Sequence, residues 1–211
     1  MASKHHPVDL KGLLEAKIKQ TIEANQLEHR GGFLTTDFVT EIFTTENLAE
    51  QLKDHPEAES VPSEDLRKTA QKIRDHQKQL YAILLLMGES RRIHSVIFSE
   101  VNSIKDEFLF RPTTTVPSLQ WYTKERLDRL TFFDGIADTF YRKQWIFPPS
   151  LLTTETLEFP EKHFVFPFES APELLGSGLH GDVYKVTVSS HFLQIRQSEQ
   201  VSHVRSCTSP L

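Results

Sequence analysis

The chain has 211 residues, room for one domain and a fragment or for two small domains. Charged residues make up 25% and apolar ones 38%, the texture of a water-exposed globular protein slightly short of core formers, with fifteen phenylalanines partly filling the deficit. A net charge of −5 speaks against a general nucleic-acid or anionic-membrane binder, and the single Cys207 excludes an internal disulfide framework.

Met1 to Leu10 is polar and lacks the apolar core of a signal peptide. The longest apolar run, Tyr81 to Met87, is far short of a membrane span. A cytoplasmic or nuclear location is therefore expected, with neither nucleic acid nor membrane as a partner. Cys207 reads as an inert tail thiol. None of the ten histidines joins Cys, Asp or Glu at metal-ligand spacing, so each is expected at the surface or half-buried, and no metal site is assigned.

The predicted elements begin with an amphipathic helix over residues 8–28, whose Leu10, Leu13, Leu14, Ile18 and Ile22 share one face before Gly31-Gly32 ends it. Phe38, Val39, Ile42 and Phe43 form a short second face, with Thr35 or Thr36 as N-cap. Leu48 and Leu52 belong to another short helix from about Thr45 to Asp54, and His55 to Pro62 reads as a polar loop. The clearest helix runs from Ser63, a capping residue, to Met87. Leu66, Ala70, Ile73, Leu80, Leu84 and Met87 recur at helical intervals, and Gly88 stands in the usual C-terminal stop position. Gln77 is the one polar residue in that stripe.

Ser90 is placed to cap a further helix with Ile93, Val96, Ile97, Val101 and Ile104 inward. Arg91 and Arg92 lie in its first turn, against the helix dipole. They read as a solvated face, with an acidic partner as the alternative. Lys105 to Pro117 is irregular. Thr123 to Tyr141 reads as a last helix carrying Leu127, Leu130, Ala137, Phe140 and Tyr141, with Gly135 in its middle. The expected fold class is thus mainly α, an irregular multi-helix N-terminal region over residues 8–144. A proline- and phenylalanine-rich linker over 145–168 follows, too broken by Pro148, Pro149, Pro160 and Pro167 to stay helical.

Next comes the most specific stretch, Leu174-Leu175-Gly176-Ser177-Gly178-Leu179-His180-Gly181-Asp182-Val183. Gly176, Gly178 and Gly181 stand in the order G-x-G-x-x-G. A chain without Cβ atoms lets backbone N–H groups approach a polyphosphate closely. In a dinucleotide-binding turn the third glycine opens a helix. Here Val183, Tyr184, Val186, Thr187 and Val188 are β-branched or aromatic, which predicts strand, glycine turn, strand over 169–188. Glu199, at a distance that mimics a ribose-binding acid, is discounted for want of that helix. The alternative is a glycine-rich hairpin that binds nothing.

G-x-G-x-x-G-x-V on a hairpin resembles the phosphate-covering loop of protein kinases. The matching positions are Gly176, Gly178, Gly181 and Val183, with Leu175 and Val183 at the family's apolar contacts to adenine. Further stretches extend the likeness over roughly residues 10–188. They are Lys72-Ile73-Arg74, Leu80 to Leu85, Phe140-Tyr141-Arg142-Lys143-Gln144-Trp145-Ile146-Phe147 and Pro167-Phe168. Together they resemble the N-terminal part of the serine/threonine-type protein kinases of filamentous fungi.

The resemblance implies a helical leader joined to a β-hairpin remnant of a kinase N-lobe. It implies ATP with Mg2+ at Leu175, Gly176, Ser177, Gly178, Gly181 and Val183. The chain departs from that family after two strands. No lysine follows Lys185, and no His-Arg-Asp or Asp-Phe-Gly follows the loop; Phe133-Asp134-Gly135 and Arg74-Asp75-His76 have the wrong order and place. Ser189 to Leu211, with six serines and no lysine or glycine, reads as a disordered or aberrant tail of different origin. No residue receives a catalytic role, so phosphotransfer by this chain alone is not expected and ATP binding is expected to be weak or absent.

The competing reading is a non-catalytic helical adaptor or scaffold whose helices meet a protein partner and whose hairpin binds no nucleotide. A third, an enzyme of another class, finds no recognisable nucleophile–base pair, metal set or close carboxylate pair in the sequence.

Overall fold

A computed structural model of the chain describes residues 8–25, 31–94, 104, 106, 124–148, 165, 167–179 and 181–188. Among them the fold is mainly α with one two-stranded antiparallel hairpin, as the sequence predicts. The expected inward positions Val96, Ile97 and Val101, the irregular stretch up to Pro117, most of the linker, and the tail with Cys207 lie outside the described residues.

Helix α1 (Leu10–Asn25) buries a narrower line than its pattern suggests. Leu10, Leu14 and Thr21 are buried and Ile18 packs on the core, while Leu13 and Ile22 are exposed. Gly32 then brings the chain back against α1. Thr21 Oγ1 donates to the Ile18 carbonyl at 2.7 Å and accepts from Phe33 N–H at 2.9 Å. Helix α2 (Thr36–Ile42) is capped by Thr35, whose hydroxyl accepts from Phe38 N–H at 3.1 Å. Helix α3 (Thr45–Lys53) is capped in the same way by Thr44 and buries Leu48 and Leu52 along helix α4 (Ser63–His76). Pro62 holds the N-cap position of α4 and Ser63 is its first helical residue, so the expected Ser63 cap is not made. Between α3 and α4, a 3-10 turn over Pro56–Ala58 replaces the expected loop.

The expected single helix over Ser63–Met87 is two helices, and Gln77 is the break. Its backbone leaves helical geometry at φ −141°, and its side-chain Nε2 donates to the Ile104 carbonyl at 3.0 Å. Helix α5 (Lys78–Met87) restarts with its free N–H groups capped from a distance. Asp106 accepts from Gln79 N–H at 2.8 Å and Leu80 N–H at 2.9 Å. Burial pushes that carboxyl up to about 7, against the pull of the two N–H bonds. Leu80 to Leu85 are all buried, so α5 is the element on which α1, α2 and α4 pack. Gly88, left-handed at φ 75°, ends it as expected.

The expected helix over Thr123–Tyr141 is also interrupted. Helix α6 (Lys124–Leu127), a 3-10 turn over Thr131–Phe133 and helix α7 (Ala137–Lys143) share its span, with Gly135 at φ 75° turning the chain between the last two. The breaks let the Phe133 and Phe140 rings meet at 4.6 Å, tilted by 53°, in the same core as Leu127 and Ile136. A last 3-10 turn, Gln144–Ile146, presents its Ile146 carbonyl to Leu34 N–H at 2.6 Å, and Phe147 enters the core.

Candidate functional site

All six predicted nucleotide-contact residues lie on one hairpin. Strand β1 (Glu173–Gly178) pairs antiparallel with strand β2 (Gly181–Lys185), in the register Leu174 with Tyr184, Gly176 with Val183, Ser177 with Asp182 and Gly178 with Gly181. Leu175 is the extra residue of a bulge, next to the Gly176–Val183 pair. Gly181 at φ 128° occupies backbone space that favours glycine, and β2 leaves directly from it. A Phe168–Val188 bridge and the Glu169 N–H to Thr187 carbonyl bond at 2.8 Å lie beyond the strand ends.

The space around this turn is open. A Cβ added at Gly176 or Gly181 would meet nothing within 4 Å, and at Gly178 only the Gly181 carbonyl at 3.9 Å. The charges do not favour a phosphate. Lys185 lies at the surface, where its ammonium donates to Glu173 at 3.1 Å; Asp182 sits beside the third glycine and accepts from Tyr184 at 3.3 Å. Leu174 and Leu175 are 53% exposed and Val183 41%, so no described residue closes a wall over them. Among the hairpin's described residues Lys185 is the one ammonium, and it is paired with Glu173, which leaves backbone N–H groups as the donors a ligand would meet. Such a set can touch a polyphosphate weakly but cannot neutralise it.

A second constellation was not anticipated from sequence. His55 Nε2 lies 3.0 Å from Ser90 Oγ, and His55 Nδ1 lies 3.0 Å from His94 Nε2. Both imidazoles are buried, contrary to the expectation for the histidines, and Ser90 is half-buried. Ser90 does not cap its turn: Glu89 holds the N-cap position of the 3-10 turn Ser90–Arg92. Arg92 is not merely solvated either, since it donates to Glu89 at 2.8 Å and to the Phe132 carbonyl at 3.2 Å. Burial lowers the pKa of both histidines, and the neighbouring His94 lowers His55 further. The three side chains are 35 and 39 residues apart along the two hydrogen bonds' outer ends, with no short motif to join them.

Comparison with protein-family models, curated proteins and solved structures gives no match to this chain.

Proposed function

We propose that this chain is a helical binding protein whose hairpin is a kinase-type phosphate-contact loop, and that it transfers no phosphoryl group by itself. The observation that carries the reading is the strand leaving directly from Gly181, which gives the three glycines the strand–turn–strand setting of the kinase loop rather than a dinucleotide turn. Charge neutralisation is weak at the hairpin itself, where Lys185 pairs with Glu173. The reading expects weak binding of Mg-ATP, with a dissociation constant of about 1 mM or above, which is roughly −4 kcal/mol or less favourable. The adaptor reading is favoured by a different observation, the exposed Leu174, Leu175 and Val183, which offer apolar surface to a protein partner.

Titration of Mg-ATP by calorimetry, with a parallel phosphotransfer assay on a generic protein substrate, separates the two. Saturable millimolar binding without transfer is the expected result. No saturable heat up to about 10 mM would remove the nucleotide from the account and leave the adaptor.

A further inference from the structure

The geometry points to a second, hydrolytic function: we propose that Ser90, His55 and His94 form a nucleophile, base and positioning residue for cleavage of esters that carry an anionic group. The proposal is independent of the hairpin. It starts from the order of the hydrogen bonds. Ser90 Oγ is 3.0 Å from His55 Nε2, and the other nitrogen of that ring is 3.0 Å from His94 Nε2. This is the nucleophile–base–orienter logic of acyl transfer, with an imidazole in the place of the usual carboxylate. With the proton of His55 on Nδ1 and donated to His94, the Nε2 lone pair faces the Ser90 hydroxyl.

The two imidazoles are equally buried and the serine less so. His55 and His94 are 6% and 7% exposed, while the half-buried Ser90 lies at the accessible end. Desolvation holds both imidazoles below their ordinary range, which favours the uncharged form that can accept a proton while weakening it as a base. Asp54 and Glu57 oppose that shift at His55, and Arg91 adds to it.

Ser90 stands between Glu89 and Arg91. Those two residues, with Glu57, Arg92 and His94, line an open groove of about 360 Å³. Arg92 is engaged by Glu89. The exposed Arg91 makes no ion pair among the described residues, so its guanidinium is the group placed to meet a carboxylate on the substrate.

The reaction balances with water. Ser90 Oγ bonds to the ester carbonyl carbon as its proton passes to His55 Nε2. Collapse of the tetrahedral adduct breaks the carbon–oxygen bond to the alcohol, which leaves with that proton. Water, deprotonated by His55, then attacks the acyl-Ser90 carbonyl. The carbon–Oγ bond breaks, the acid departs, and Ser90 regains its proton.

The test treats the full chain with a fluorophosphonate probe, maps the adduct by mass spectrometry, and measures hydrolysis of p-nitrophenyl acetate and mono-p-nitrophenyl succinate. The adduct is expected on Ser90. Its rate should be flat above pH 7 and fall as pH drops through a value below 6.5. His55→Gln should slow labelling about 100-fold or more. Arg91→Ala should slow the succinate and spare the acetate. Ser90→Ala should abolish the adduct with an unchanged circular dichroism melt. Where that variant does not fold, the mapped adduct of the unaltered chain decides. A folded protein with no adduct at Ser90, or labelling indifferent to His55→Gln, would overturn the proposal.

Discussion

Gly31 and Gly32 are adjacent and neither has a positive φ, yet the structure assigns them opposite sensitivities. A Cβ on Gly32 would lie 2.2 Å from the Ile18 carbonyl oxygen, 2.9 Å from its carbon and 2.6 Å from Thr21 Oγ1. The first two are backbone atoms of α1 and cannot rotate away, so Gly32→Ala must push the chain off the helix. That displacement breaks the 2.9 Å bond from Phe33 N–H to Thr21 and strands a buried donor. A lost hydrogen bond at about 1 kcal/mol and an unsatisfied buried group at about 1–3 kcal/mol give an expected loss of roughly 2–4 kcal/mol. A Cβ on Gly31 meets only Val165 Cγ2 at 3.7 Å, an ordinary contact. Gly31→Ala should change stability by less than about 1 kcal/mol, with a stabilising contribution from the stiffer unfolded chain. Urea denaturation followed by circular dichroism measures both. Equal losses in the two variants, or a Gly32→Ala midpoint unchanged from the original, would refute the close approach of residues 32–33 to α1.

Three further predictions follow from single groups. Tyr81 is fully buried, edge-on to Phe43 at 5.9 Å, and its hydroxyl has no hydrogen-bond partner among the described residues. Tyr81→Phe should therefore raise stability by about 1 kcal/mol in the same urea assay, and a loss would show that the hydroxyl is satisfied. Asp106 has a folded pKa raised to about 7, so the folded chain holds its proton where the unfolded one has released it. Its contribution to stability falls as pH rises from about 4 to 7 and is level above that. Asp106→Asn should flatten that slope, and a midpoint–pH profile identical to the original would contradict the desolvated cap. Gly181→Ala, at φ 128°, should cost the hairpin about 1–3 kcal/mol. Because Leu174, Leu175 and Val183 are exposed, hydrogen exchange should speed up in β1 and β2 while the helical melt stays put. A shift of the whole melt would mean that the hairpin is part of the core.

Local signals were legible where a residue acts on its own neighbours. Thr35 caps α2, Gly88 ends α5, and a strand follows Gly181 directly, although it stops at Lys185, short of Val186-Thr187-Val188. Breaks made by distant groups were not legible. Gln77 looks like one polar residue in a helical stripe, and only the Ile104 carbonyl and the Asp106 carboxyl, 27 residues from Gln77 and Gln79, explain why the helix stops and restarts there. Gly135 signalled trouble in the last predicted helix without showing that Phe133 had to turn towards Phe140. The hairpin's form was readable because it is built from neighbouring residues. The histidine–serine cluster was not, because folding alone brings residues 55, 90 and 94 together.

The central claim, that the glycine turn contacts polyphosphate through its backbone, is tested most directly by glycine-selective amide NMR during Mg-ATP titration. The chain holds eight glycines, three of them in the turn. The account predicts saturable shifts at Gly176, Gly178 and Gly181, with Gly12, Gly31, Gly32, Gly88 and Gly135 unmoved. Saturable binding that leaves the three turn amides in place would contradict it.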